Sequence, residues 1–222
     1  MSERTSTAAQ RRVPLSRERA LTAAVALADV EGLGSLTMRR LARDLGVEAM
    51  SLYHHVANKE DILDGMVELV FREIELPAPQ DDWRPAMHRR AVSVRTTLKR
   101  HPWAISIMQS RSSPGPAALG HLDAVIGCCR RAGFSVEMAA HAVSLIDSYV
   151  YGFVLQEVNL PAAETGGVEG VVESVMPTLE RDYPHLAELT IGYVMQPGYS
   201  YGAEFDYGIG LVLDGLQAAA RR

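Results

Sequence analysis

The sequence predicts an all-α protein. An N-terminal three-helix unit carrying a helix-turn-helix, residues 1–60, is joined by a continuous helix to a larger helical bundle over residues 61–222. Apolar residues recur at three- and four-residue spacing in segment after segment, and Gly, Pro and Ser punctuate the gaps. No stretch alternates apolar and polar residues over a useful length, and no internal repeat is present. With 222 residues, 47% hydrophobic and 22% charged, the chain has apolar content for a core and none of the bias of a disordered one.

Taken in order, Met1 to Arg12 is polar and lacks an apolar stretch of signal-peptide type, so no export signal is expected. Helix one is expected from Ser16 to about Glu31, with Leu21, Ala24, Val25 and Ala28 inward and Gly32 and Gly34 ending it. Thr37 stands where an N-cap belongs, and Met38, Leu41, Ala42 and Leu45 follow at helical spacing, so a short helix closes at Gly46. Val47 fills the corner. A second helix from about Glu48 to Val56 then places Glu48, Leu52, His55 and Val56 on a packed face and Ala49, Met50, Tyr53 and His54 on a free one. Asn58 offers a further N-cap, with Asp61 three residues on, to a helix reaching about Glu75 through Ile62, Leu63, Met66, Val67, Val70, Phe71 and Ile74.

Beyond Pro77 and Pro79, helices are expected over about Trp83 to Arg100, Pro102 to Ser110, Ala117 to Ala132, Ser135 to Glu157, Glu169 to Arg181 and Glu204 to Ala220. Loops fall at Ser112 to Pro116, Gly133, Pro161 to Gly167 and Pro197-Gly198. The apolar run Met138 to Val158 is broken by His141, Ser144, Asp147, Ser148, Gln156 and Glu157, which suits a buried helix rather than a membrane span. Cys128 and Cys129 are adjacent on a helix, where they cannot easily bridge each other, and a reduced, cytoplasmic chain is expected.

The stretch Leu36-Thr37-Met38-Arg39, Leu41-Ala42, Leu45-Gly46-Val47, then Leu52-Tyr53-His54-His55-Val56-Ala57-Asn58-Lys59 and Leu63, closely resembles the DNA-binding end of the TetR family of one-component bacterial repressors. The resemblance is specific over roughly the first third of the chain and rests elsewhere on length and helical pattern. It implies a ligand-responsive transcriptional regulator, a repressor by family default, that binds a palindromic operator as a homodimer and is released by a small molecule. Charge agrees with that polarity. Through Lys59 nine Lys or Arg face six Asp or Glu, whereas thirteen face twenty-one beyond it. Arg11, Arg12, Arg17 and Arg19 could contact phosphates or a minor groove, or simply form a solvated tail.

By that resemblance Arg39, Ala49, Met50 and Tyr53 face bases, while Thr37, Ser51, His55 and Lys59 are placed for backbone contact, with His54 beside them. Arg39 can reach guanine O6 and N7 together, Ala49 and Met50 suit thymine methyls, and Tyr53 can stack or reach a phosphate. A helix-turn-helix reads paired half-sites about 34 Å apart, so dimerisation is required physically as well. The interface expected from the resemblance joins the Val143 to Val158 helix to the last helix, through Val143, Tyr151, Leu155, Phe205, Ile209, Val212, Leu213 and Leu216; the alternative is that both helices only fill the monomer's core.

For the effector, Trp103, Ile107, Met108, Met138, Tyr149 and Phe153, together with Tyr151, could line an apolar pocket, and Arg95, His101, Asp147 and Gln156 could supply its polar contacts. The same stripes are also compatible with ordinary core. The tetracycline repressors hold a magnesium-chelated drug with histidines and an acid. Here Ser148 and Gln156 stand in the rough register of a histidine and a glutamate, and no His lies between His55 and His88, which argues against that ligand; no cofactor or metal is expected. An enzyme would need a convergent catalytic set, and none of the familiar nucleophile, zinc, P-loop or dinucleotide motifs is present. His185 and Glu188 lie one turn apart but lack further ligands. A DNA-binding dimer without an effector is the other alternative.

Overall fold

The computed structural model describes residues 14–110, 114–160 and 167–221, without the side chains at 109 and 167–169. Among them the regular structure is helical throughout and divides into two compact units, split between Met66 and Val67. Arg11, Arg12 and parts of the Ser112 to Pro116 and Pro161 to Gly167 loops lie outside the described residues.

In the first unit, α1 (Arg17–Glu31) starts where the Ser16 hydroxyl accepts from the Arg19 amide at 3.1 Å. Its buried stripe is Ala20, Leu21, Ala24, Leu27 and Ala28; Val25 is only half-buried, because at helical spacing it falls at the rim of that arc, beyond Leu21 and Ala28. A 3-10 turn at Leu33–Ser35 leads to α2 (Met38–Leu45), capped by Thr37 and closed by Gly46 at φ 69°, ψ 35°. Only a residue without Cβ takes that left-handed conformation freely, and it lets the Val47 amide return to the Ala42 carbonyl. The next helix, α3 (Ala49–Leu52), is shorter than the sequence suggests: past Leu52 the chain continues through tight turns, with the His55 amide on the Leu52 carbonyl at 2.8 Å. Glu48 is exposed rather than packed, since it is the extended residue before α3. The following helix, α4 (Lys59–Arg72), begins in this unit and ends in the other. Asn58 Oδ1 accepts from the Asp61 amide and Asp61 returns to the Ala57 amide, a reciprocal cap.

The second unit is built on α5 (Trp83–Arg100), α7 (Pro116–Arg131), α8 (Val136–Glu157) and α11 (Tyr201–Ala219), with the short α6 (Ala104–Ser110) after α5. Helix α8 is long and apolar enough to cross a membrane by length and composition, yet it packs on α5, α7 and α11 through a stripe including Ala142, Ile146, Val150 and Val154. Helix α9 (Gly167–Asp182) packs on α10 (Pro184–Leu189), which runs into a π-helical turn over Thr190–Val194. Those last two elements were not legible, because Pro184 opens a segment with no long apolar period.

Candidate nucleic-acid interface and ligand site

Helix α2 packs between α1 and α3, and its Leu41 and Ala42 are buried together with Leu52 and Val56. With those positions committed inward, helical geometry leaves the opposite face in solvent: Met50 is 71% and Tyr53 46% exposed, and Arg39, His54 and Lys59 are exposed too. Ala49, Ser51 and His55 are half-buried. The Thr37 oxygen accepts from the Arg40 amide at 3.1 Å, so its first role is to hold the start of α2.

The arginines of this unit divide by what they hold. Arg40 pairs with Glu31 and Asp44 at 2.5 and 2.9 Å. Arg17 grips both oxygens of Asp61, at 2.7 and 2.6 Å, and this hydrogen bonding holds the Asp61 carboxyl below its usual range. Arg19 donates to the Leu45 carbonyl at 3.4 Å. Arg17 and Arg19 therefore brace the unit, a correction to their reading as part of a basic tail. No such partner holds Arg39 among the described residues, and its guanidinium stands in solvent beside the free face of α2.

Of the eleven residues expected at a pocket in the second unit, Arg95, Tyr149 and Phe153 meet in one cluster and His101 and Trp103 in another, while Gln156 and Met138 lie at the surface. Arg95 holds Glu157 at 2.8 and 2.6 Å and lies over the rings of Phe153 and Phe205, while the Tyr149 hydroxyl donates toward the Glu204 and Phe205 carbonyls, each at 3.1 Å. Gln156 is exposed and accepts from Tyr201 at 2.9 Å. His101 and Trp103 are buried with ring centres 5.9 Å apart, and His101 meets Glu73 at 3.2 Å. Ile107 is buried and Met108 half-buried on α6. Met138 instead lines a surface groove of about 430 Å³ between α8 and α11, with Leu145, Leu211, Val212 and Leu216.

Of the residues expected at a dimer surface, Phe205, Ile209 and Leu213 are wholly buried and Leu216 nearly so, because α11 packs on both α5 and α8 and its apolar arc is used inside the unit. Among the apolar residues of α8 and α11 left outward are Leu145, Leu155 and Leu211, with Val143 and Val212 half-buried. Tyr151 is half-buried, and burial, followed by the charge of Asp147, pushes its phenol well above the ordinary tyrosine range.

The polar cluster that burial assembles around Asp147 is different from any expected. Arg90, 3% exposed, donates from Nη2 to Asp147 Oδ1 at 2.8 Å and from Nε to His121 Nε2 at 3.3 Å. Burial, with Arg90 adding, lowers the His121 pKa to about 3, so the imidazole is neutral and can accept. The Phe71 ring is 5.6 Å from that of His121. Arg90 Nη1 is buried with no hydrogen-bond partner, an arrangement that costs about 1–3 kcal/mol. An arginine on an apolar helix face was the signal available in the sequence: Met87, Ala91 and Val94 share the buried stripe with Arg90. No group of three or more His, Cys, Asp or Glu among the described residues could hold a metal, and His185 and Glu188, both exposed, are 3.9 Å apart with no further ligand.

An exposed helix-turn-helix face on one unit and a helical bundle with a buried polar cluster in the other define a helix-turn-helix transcriptional regulator. Residues 20–66 match the family described as bacterial regulatory proteins, tetR family, and residues 76–220 match the tetracyclin repressor-like C-terminal domain. The chain belongs to the TetR family. It is 35% identical over 216 residues to the transcriptional repressor DrrR1 of Streptomyces coeruleorubidus, covering 91% of this chain and 77% of that one. It is 30% identical to the class E tetracycline repressor of Escherichia coli, over 76% of this chain and 80% of that protein. The crystal structure of ActR from Streptomyces coelicolor in complex with actinorhodin superposes with a TM-score of 0.76 at 26% identity, covering 95% of this chain and all of that one. These relatives are regulators of transcription, not enzymes.

Proposed function

We propose that the protein is a cytoplasmic, homodimeric repressor that reads a two-fold operator through α2 and α3 and leaves it when a small molecule occupies the second unit. The observation that carries the reading is the division of labour among the arginines. Arg17, Arg19 and Arg40 are engaged within the fold, while Arg39 is exposed on α2, as Met50 and Tyr53 are on and just after α3. On this reading Arg39 discriminates guanine, Ala49 and Met50 meet thymine methyls, and Tyr53, Ser51, His54, His55 and Lys59 hold bases or phosphates. The apolar groove of α8 and α11 supports pairing of two copies.

The effector reading is supported by the unsatisfied Arg90 cluster and by the bound actinorhodin of ActR, and it makes α4 the connection between sensor and reader. Glu68 on its second half caps α7, donated to by the Ala117 amide at 2.7 Å. Moving the dimer from mostly competent to mostly released needs a differential affinity of about 10⁴, roughly 5.5 kcal/mol, shared by two bound ligands. DNA must then weaken ligand binding by the same factor.

The test is binding to fluorescent genomic fragments across a salt series, with actinorhodin and with tetracycline plus magnesium added to the complex. Selective binding with a steep salt slope, weakened about 10-fold or more by Arg39→Ala, is the expected result. Weak, unselective binding unaffected by Arg39→Ala would sink the operator reading. An operator affinity unmoved by every effector in a screen begun with these two compounds would leave the DNA-binding dimer without an effector.

A further inference from the structure

This inference rests on the reading of the second unit as a small-molecule sensor and concerns the chemistry of its ligand. Arg90 is the only arginine buried among the described residues. Its Nε and Nη2 are satisfied by His121 and Asp147, while Nη1 carries N–H groups with no acceptor. Buried donors are paired in the large majority of cases, so an unmatched Arg90 Nη1 asks for an acceptor that the fold itself does not supply. The charges around it already cancel, one guanidinium against one carboxylate, with His121 and Tyr151 both neutral. An anionic guest would bring an unbalanced charge into that interior, and a neutral oxygen acceptor would not. The surroundings are apolar and aromatic: the Phe71 and His121 rings, and Met87 and Val94 on the same face of α5. We propose that Arg90 Nη1 donates to a neutral carbonyl oxygen of a ring-bearing ligand held in this cluster, with His121 and Asp147 fixing the guanidinium in place.

The experiment compares three tricyclic probes of similar size by isothermal titration to the full chain: xanthone, which presents a neutral carbonyl, xanthene, which lacks it, and xanthene-9-carboxylate, which is anionic. Xanthone is expected to bind at least about tenfold more tightly than either, and Arg90→Met is expected to erase that preference. Because Arg90→Met leaves Asp147 unpaired, Arg90→Met with Asp147→Leu is tested beside it. The double variant is expected to melt at or above the wild-type temperature and to bind xanthone and xanthene alike. Equal affinities in the wild type, tightest binding by the carboxylate, no detectable binding of xanthone, or a preference that survives the substitutions each overturn the proposal, as does failure of both variants to fold. Xanthone binding that leaves operator affinity unchanged would uphold the carbonyl contact and count against the sensor reading. Effectors that release operator equally well from wild type and Arg90→Met would do the reverse.

Discussion

At the scale of single residues, burial decides what a polar side chain can do. His121 and His54 have the same chemistry, yet His121, on the buried side of α7, is closed in by Phe71 and Arg90, while His54 stands in water. With its folded pKa lowered to about 3, against an ordinary value of 6.5, His121 binds its proton more readily in the unfolded chain. Its neutral form therefore adds stability that is fully present above pH 6.5 and is lost as pH falls toward 3. Acid melts should show roughly 1–2 kcal/mol lost by pH 5 on this account, and His121→Gln, which keeps an acceptor for Arg90 Nε but cannot charge, should flatten that part of the profile. A profile unchanged by His121→Gln would assign the acid sensitivity to other groups. Residue identity alone did not foretell this site: Asp147 was legible as a polar candidate, but its partner Arg90 lies 57 positions away, and Arg90 in turn lies 31 positions from His121.

At the scale of elements, ends and close approaches carry the local information. The cap at Thr37, the left-handed Gly46 and the reciprocal Asn58 and Asp61 bonds are readable in sequence, because each is a contact within four residues. Gly46→Ala meets no neighbouring atom within 4 Å, so its whole effect is backbone strain at φ 69°, about 1–2 kcal/mol, readable as a lower melting temperature for the first unit. Gly208 on α11 is a different case. A Cβ there would stand 2.2 Å from the Tyr149 hydroxyl, which is held by two carbonyls of the same helix. Gly208→Ala should force α8 and α11 apart and destabilise the second unit by about 1–3 kcal/mol, and calorimetry showing an unchanged transition would refute that packing. What the helical period could not reveal was the brevity of α3, because the turn at Tyr53 to His55 follows from how Leu52 and Val56 are both drawn into one core.

At the scale of the whole molecule, function depends on surfaces that a single helix cannot describe. The groove formed by Met138, Leu145, Leu211 and Val212 is apolar and open on one copy. Leu145→Glu with Leu211→Glu should shift the mass measured by light scattering to that of a monomer and weaken operator binding by roughly 10²-fold or more, as paired half-sites are lost. A dimeric mass for that variant would place the interface elsewhere. The charge division along the chain, nine cations to six anions through Lys59 and the reverse balance beyond, belongs to this scale too and orients approach to the duplex.

By itself the sequence determined the helical class, the order of most helices and the helix-turn-helix with its caps, since apolar period, N-caps and the αL glycine are local signals that survive without tertiary context. Tertiary structure alone decided which side of α11 is core, that Met138 lines a surface groove, that Arg17 and Arg40 brace the fold while Arg39 is free, and that Arg90, His121 and Asp147 meet. The reason is geometric: those outcomes depend on how three or more helices distribute their apolar arcs among one another, and one helix's pattern states only that an arc exists, not which neighbour covers it.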